Sequence, residues 1–129
     1  MRAVDTNVLV RLIVADDPEQ TKLAEAELAR GFVMLHGLVM EAEWVLRSFY
    51  GFDRQQIGGA IRELLDHQNV LTPEAESVRW AVERYLSGAD LADMLHVIAA
   101  APYGEFASFE NRLAAEAGVN PPARIVHLK

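Results

Sequence analysis

The sequence contains no cysteine, and only two lysines, Lys22 and Lys129, stand against ten arginines. The first absence excludes a disulfide framework and any thiolate metal site, and it fits a reducing compartment. The scarcity of lysine, with a formal net charge of −7, excludes attachment to nucleic acid through bulk positive charge. Such a total still leaves room for a local basic rim, or for carboxylates gathered to hold cations. No apolar run approaches the length of a membrane span and no signal peptide precedes the first strand, so a cytoplasmic chain with no membrane partner is expected. Linkers, repeats and low-complexity segments are also missing.

What is present is a half-hydrophobic chain of 129 residues, enough for one domain (1–129) with its own core. Short β runs alternate with helical stretches. "RAVD" reads as a strand, and "TNVLVRLI" turns into a helix. The next helix, "DDPEQTKLAEAELAR", has Asp17 as its N-cap, Pro18 at N1 and Gly31 just past its end. "FVMLH" is a β run, and "GLVMEAEWVLRSFYG" a helix closed by Gly51. "DRQQIGGAIRELLDH" is a helix capped by Asp53, with Gln56 in the capping-box position. "NVLT" is a strand, after which Pro73 starts a helix. "ADLADMLHVIAAAPYG" is a helix, "EFASF" a strand, "ENRLAAEAG" a helix and "RIVHL" the last strand. The alternation predicts an α/β fold with a parallel sheet and helices on both faces.

In such folds ligands bind beyond the carboxyl ends of the strands. Asp5 stands at one such end, where a carboxylate is costly unless used. Its bland role is to cap the helix that follows. Helix "LVMEAEWVLRSFY" offers two more acids. Glu43 stands four before Arg47, the spacing of a surface ion pair. Glu41 has Leu38, Trp44 and Val45 at helical spacing, an apolar face on which a carboxylate suggests a ligand. Asp90 and Asp93 lie one turn apart on one helix face, with Asp90 also a candidate N-cap. Glu110 follows a short β run, as Asp5 does. Acids gathered at one edge repel one another without a cation. Mg²⁺ or Mn²⁺ suits oxygen ligands and can activate a water against a phosphodiester.

"VDTNVLVRL", "EAEWVLRSFYG", "GADLADMLH" and "SFENRLA" resemble, in order and over nearly the whole chain, the PIN-domain ribonucleases, most closely the VapC toxins of bacterial type II toxin–antitoxin pairs. The resemblance implies a PIN-like three-layer α/β/α sandwich around a central, mainly parallel sheet. It implies an Mg²⁺- or Mn²⁺-dependent endoribonuclease whose acids fall on Asp5, Glu41, Asp93 and Glu110, with Asp90 a frequent companion. Thr6 and Asn7 match the small polar residues that brace the first acid, and Ser108 matches the polar residue before the fourth. The family usually has Asp where this chain has Glu110. The extra methylene moves the carboxylate by about one C–C bond, enough to matter to a second octahedral ion. The implied partners are RNA, a VapB-type antitoxin and a second copy of the chain. The segments "DPEQTKLAEAELARGF" and "EWVLRSFYGFDRQQI" are candidates for those surfaces.

Arg11 and Arg112 are candidate phosphate contacts, although solvated charge is the commoner fate of such residues. Arg47 is a third candidate. Tyr50 is a candidate for base stacking, and packing is its commoner role. His36, His67, His96 and His127 show no ligand spacing. Two competing functions need weighing. A phosphatase using Asp5 as nucleophile, of the haloacid-dehalogenase kind, needs a second Asp where Asn7 stands, and a late lysine other than the terminal Lys129. A catalytically weak or inactive PIN domain that binds RNA or antitoxin is the alternative that the Glu110 departure keeps open.

Overall fold

The computed structural model describes Met1–Lys129, which divides into two compact units, Met1–Ala75 and Glu76–Lys129. It is a mixed α/β structure in which every strand pair is parallel. The elements of the first unit are β1 (Arg2–Ala3), α1 (Thr6–Val14), α2 (Pro18–Arg30), β2 (Phe32–Val33), α3 (His36–Ser48), α4 (Arg54–Asp66) and β3 (Val70–Leu71). Strands pair in the order β1-β2-β3, with Arg2 opposite Phe32 and Phe32 opposite Val70. Because the strands run the same way, the residues that follow them leave from one edge of the sheet: Asp5 after β1, His36 after β2 and Pro73 after β3. A His36 Nε2 hydrogen bond of 2.6 Å to the Pro73 carbonyl ties the last two together.

The helices form where local chemistry favours them. Asp17 accepts from the Gln20 N–H at 3.1 Å, Pro18 opens α2, and Gly31 ends it at φ +89°. A Cβ at Gly31 would also meet the Asn69 carbonyl oxygen at 3.0 Å, so the position needs glycine on two counts. Asp53 and Gln56 form the reciprocal capping box of α4. Leu9, Phe32, Met34, Val39, Leu46, Ile57 and Ile61 are fully buried, each contributing about 1.5–3 kcal/mol of transfer free energy.

The second unit comprises α5 (Ala75–Leu86, whose first residue lies at the boundary), α6 (Leu91–Ala99), a 3₁₀ turn (Ala101–Tyr103), β4 (Glu105–Ser108), α7 (Leu113–Ala117) and β5 (Arg124–His127). Strands β4 and β5 pair in parallel from Glu105 opposite Arg124 to Ser108 opposite His127, joined by a crossover through α7. Val78, Val82, Met94, Val97, Ile98 and Leu113 supply its buried apolar surface. The parallel pairing agrees with the alternating pattern of the sequence. The strands are distributed over a three-stranded and a two-stranded sheet.

Several boundaries differ from the sequence expectation. Pro73 does not start a helix: Glu74 adopts a left-handed φ of +52°, and α5 begins only at Ala75. The run "ENRLAAEAG" is helical only over Leu113–Ala117. Ahead of it the Glu110 N–H donates to Ser108 Oγ at 3.0 Å and the Arg112 N–H to Glu110 Oε1 at 3.2 Å, turning the chain on side-chain acceptors instead. The expected "ADLADMLHVIAAAPYG" helix ends at Ala99, and the segment with Pro102 tightens into the 3₁₀ turn.

Candidate functional site

Asp5 caps α1, its Oδ1 accepting from the Thr6 N–H at 2.6 Å. Thr6 is buried, and its hydroxyl donates to Glu41 Oε1 on α3. One threonine therefore holds two of the expected acids, which are brought together from separate helices. The Asp5 carboxylate remains exposed, and so does Glu41. Asn7, the second expected brace, is exposed and lines a cavity of about 280 Å³ with Arg11, Gln20, Leu23 and Glu27.

The reason given for choosing Glu41 requires correction. The buried face of α3 carries Val39, Ala42, Glu43 and Leu46, so the apolar setting belongs to Glu43. Glu43 is 8% exposed and accepts from Arg47 Nε at 2.8 Å, whereas Trp44 beside Glu41 is 52% exposed. Helical spacing grouped Leu38, Trp44 and Val45 correctly, but it did not reveal which side of the helix packs. Glu43 is therefore not the surface ion pair expected; its carboxylate is buried and only Arg47 reaches solvent.

In the second unit, Asp90 is the N-cap of α6, its Oδ2 accepting from the Asp93 N–H at 2.9 Å. Asp93 is half-buried at the point where α6 enters its apolar stretch. Burial holds its carboxyl above the ordinary carboxylate value, and the negative charges of Asp90, Glu116 and Glu110 push it the same way, against the opposing effect of His96. Raised acids of this kind concentrate at functional sites. Glu116, on α7, is a member of this field that sequence reasoning missed; its position in the apolar-periodic "RLAAEA" marks it as helical but gives no sign of the acids it faces. Ser108 supports Glu110 through the turn bond described above.

Of the three candidate phosphate contacts, Arg11 and Arg47 are engaged: the Arg11 guanidinium pairs with Asp16 and donates to the Tyr50 hydroxyl at 3.3 Å, and Arg47 pairs with Glu43. Tyr50 thus has a polar partner, and its ring meets Phe52 edge-on. Arg112 is exposed.

All the candidate donors are carboxylate oxygens, which suit Mg²⁺ or Mn²⁺. Burial is the main cause that raises Asp93, and a cation relieves the repulsion from Asp90, Glu116 and Glu110 that adds to it. No three Asp, Glu or His side chains are gathered into one metal-holding group. Mg²⁺ is commonly held by one or two carboxylates together with waters and substrate phosphates, a number that the Thr6-bound Asp5 and Glu41 match. No helix is long and apolar enough to cross a membrane. No protein-family model matches the chain, and no curated protein or solved structure matches it significantly.

Proposed function

We propose that the chain is a divalent-metal-dependent endoribonuclease with a PIN-like three-layer α/β/α fold formed by residues 1–129. On this reading it is the toxin of a VapBC-type pair, restrained by a VapB-type antitoxin and acting as a homodimer in the cytoplasm. The observation that carries the reading is Thr6 bonded to both Asp5 and Glu41. These are the first two acids of the motif series, and one buried residue orients both, its backbone N–H holding Asp5 and its hydroxyl Glu41. The raised Asp93 carboxyl, with Asp90 and Glu110 among its causes, adds support from the later motifs. Exposed Leu23 on α2 and exposed Trp44 and Phe49 in or beside α3 lie in the two segments suited to an antitoxin or a second copy.

The motif series assigns Mg²⁺ or Mn²⁺ to Asp5 and Glu41 of the first unit and to Asp93, with Asp90 and Glu110, of the second. The ion, when bound, would lower the pKa of a water and offset charge on the attacked phosphodiester. Thr6 fixes the direction of both its carboxylates, Asp90 organises the first turn of α6 beneath Asp93, and Ser108 fixes the backbone of Glu110. Its raised carboxyl makes Asp93 a stronger base than an ordinary carboxylate, the property that a proton acceptor for an attacking water needs.

The second reading is a module that binds RNA or antitoxin without cleaving. It is favoured by one observation: Glu110 Oε1 is turned back onto the Arg112 N–H of its own chain. Calorimetric titration with Mn²⁺ separates the two. The nuclease reading expects saturable binding that is lost in Asp5→Asn. Equal, non-saturating heats in both proteins would contradict it.

A further inference from the structure

The second unit contains a cavity of about 480 Å³ that none of the roles above employs. Its walls include Arg84, Ala89, Asn111, Arg112 and Glu116. Its lining carries two guanidinium groups and one carboxylate in a chain of net charge −7. Arg84 is held fast: its Nε donates to the Glu116 carbonyl at 2.7 Å and an Nη to the Ala115 carbonyl at 3.4 Å. Carbonyl partners position the group without neutralising it. Arg112 is exposed, its backbone fixed by the Glu110 carboxylate. The cavity is flanked in sequence by two candidate acids, since Ala89 adjoins Asp90 and Asn111 adjoins Glu110.

We propose that this cavity is a substrate subsite that receives a phosphate of single-stranded RNA beside the phosphodiester being cleaved. Arg112 is its main contact, Asn111 a second donor, and Arg84 a fixed positive wall. The inference rests on the nuclease reading and names a positioning subsite for it. The volume suits a nucleotide-sized group. A guanidinium meets phosphate oxygens in a geometry that lysine does not offer. Phe109 stands directly before Glu110 and is 81% exposed, an open ring face for a base. That ring favours an RNA chain over free phosphate as the occupant.

The test measures binding of a fluorescein-labelled, mixed-sequence single-stranded RNA to the full chain in EDTA, by anisotropy, over a series of salt concentrations. Cleavage with Mn²⁺ is measured in parallel. Arg112→Ala is expected to weaken binding roughly five- to ten-fold. It should also lower the slope of log affinity against log salt by about 0.7, one phosphate's share. Arg112→Lys should retain the slope and lose part of the affinity, which keeps the test valid should the alanine variant fold poorly. In cleavage, Arg112→Ala should raise KM and leave kcat nearly unchanged.

Cleavage with unaltered KM and salt slope in Arg112→Ala would overturn the subsite and leave the nuclease standing. Arg112-dependent RNA binding by a wild-type chain that cleaves nothing would uphold RNA-phosphate recognition here and overturn the nuclease. Displacement of the RNA by inorganic phosphate at matched ionic strength, in an Arg112-dependent way, would reassign the cavity to free phosphate. Failure of the wild-type chain to bind the RNA at low salt would overturn the subsite outright.

Discussion

Thr6 on α1 donates its hydroxyl to the Glu41 carboxylate on α3, across a separation of 35 residues in sequence. The same residue gives its backbone N–H to Asp5. Removing only the hydroxyl isolates its contribution, because valine matches threonine in shape. Thr6→Val is expected to cost about 1 kcal/mol of stability, one net hydrogen bond. It should also lower metal affinity or cleavage roughly 10- to 100-fold, the usual effect of losing a group that orients a ligand. Chemical denaturation and Mn²⁺ titration check the two effects separately; a stability loss with unchanged metal affinity would make Thr6 a packing residue only.

The two glutamates of α3 should separate cleanly. Glu41→Gln keeps the exposed side chain and is expected to leave stability within about 0.5 kcal/mol while strongly reducing cleavage. Glu43→Gln weakens a carboxylate–guanidinium pair whose acid is buried and whose arginine is half solvated. A loss of about 1 kcal/mol is expected there, discounted for the exposed Arg47, with cleavage retained. Reversed results would move the proposed metal ligand from Glu41 to Glu43.

Asp93 gives a pH dependence with a definite sign. Its carboxyl titrates above the ordinary value in the folded chain, mainly through burial and then through Asp90. The folded state therefore holds that proton more tightly than the unfolded state does. Its contribution to stability falls as pH rises from the ordinary carboxylate value through the raised one, and stays low above it. In EDTA, Asp93→Asn should melt above the wild type at pH 7, with the difference closing as pH drops below the ordinary carboxylate range. Saturating Mg²⁺ should reverse the order, since at one hundred times its Kd it adds about 2.7 kcal/mol to a protein that binds it. Thermal melts across pH, with and without Mg²⁺, decide; a variant that melts below the wild type in EDTA at pH 7 contradicts the origin assigned to the shift.

The parts of the fold legible in sequence were those written in local chemistry. Asp17–Pro18, the Asp53/Gln56 box and Gly31 mark helix ends by hydrogen-bonding groups and backbone freedom that act over three or four residues. The parallel pairing followed from the alternation of strands with helices. The start of α5 was not legible, because a left-handed Glu74 has no strong residue signature and Pro73 suggested the opposite. The role of α3's faces was hidden for a different reason. Val39, Ala42 and Leu46 define its packed side only once α1 and α4 are in place, and the sequence offered Leu38, Trp44 and Val45 as an equally apolar alternative. Glu41 was chosen on that mistaken face; in the structure its carboxylate accepts from the Thr6 hydroxyl. Glu116 escaped notice because a charge on a short helix looks like solvent-facing polarity until the acids around Asp93 are known.

The most direct measurement is cleavage of total bacterial RNA by the purified chain with Mg²⁺, with Mn²⁺ and with EDTA, beside Asp5→Asn. The account expects discrete fragments with either ion, none with EDTA and none from the variant, and their sequenced ends would name the target. Fragments that persist in EDTA or in Asp5→Asn, or an intact RNA pool from well-folded, antitoxin-free protein, would contradict it.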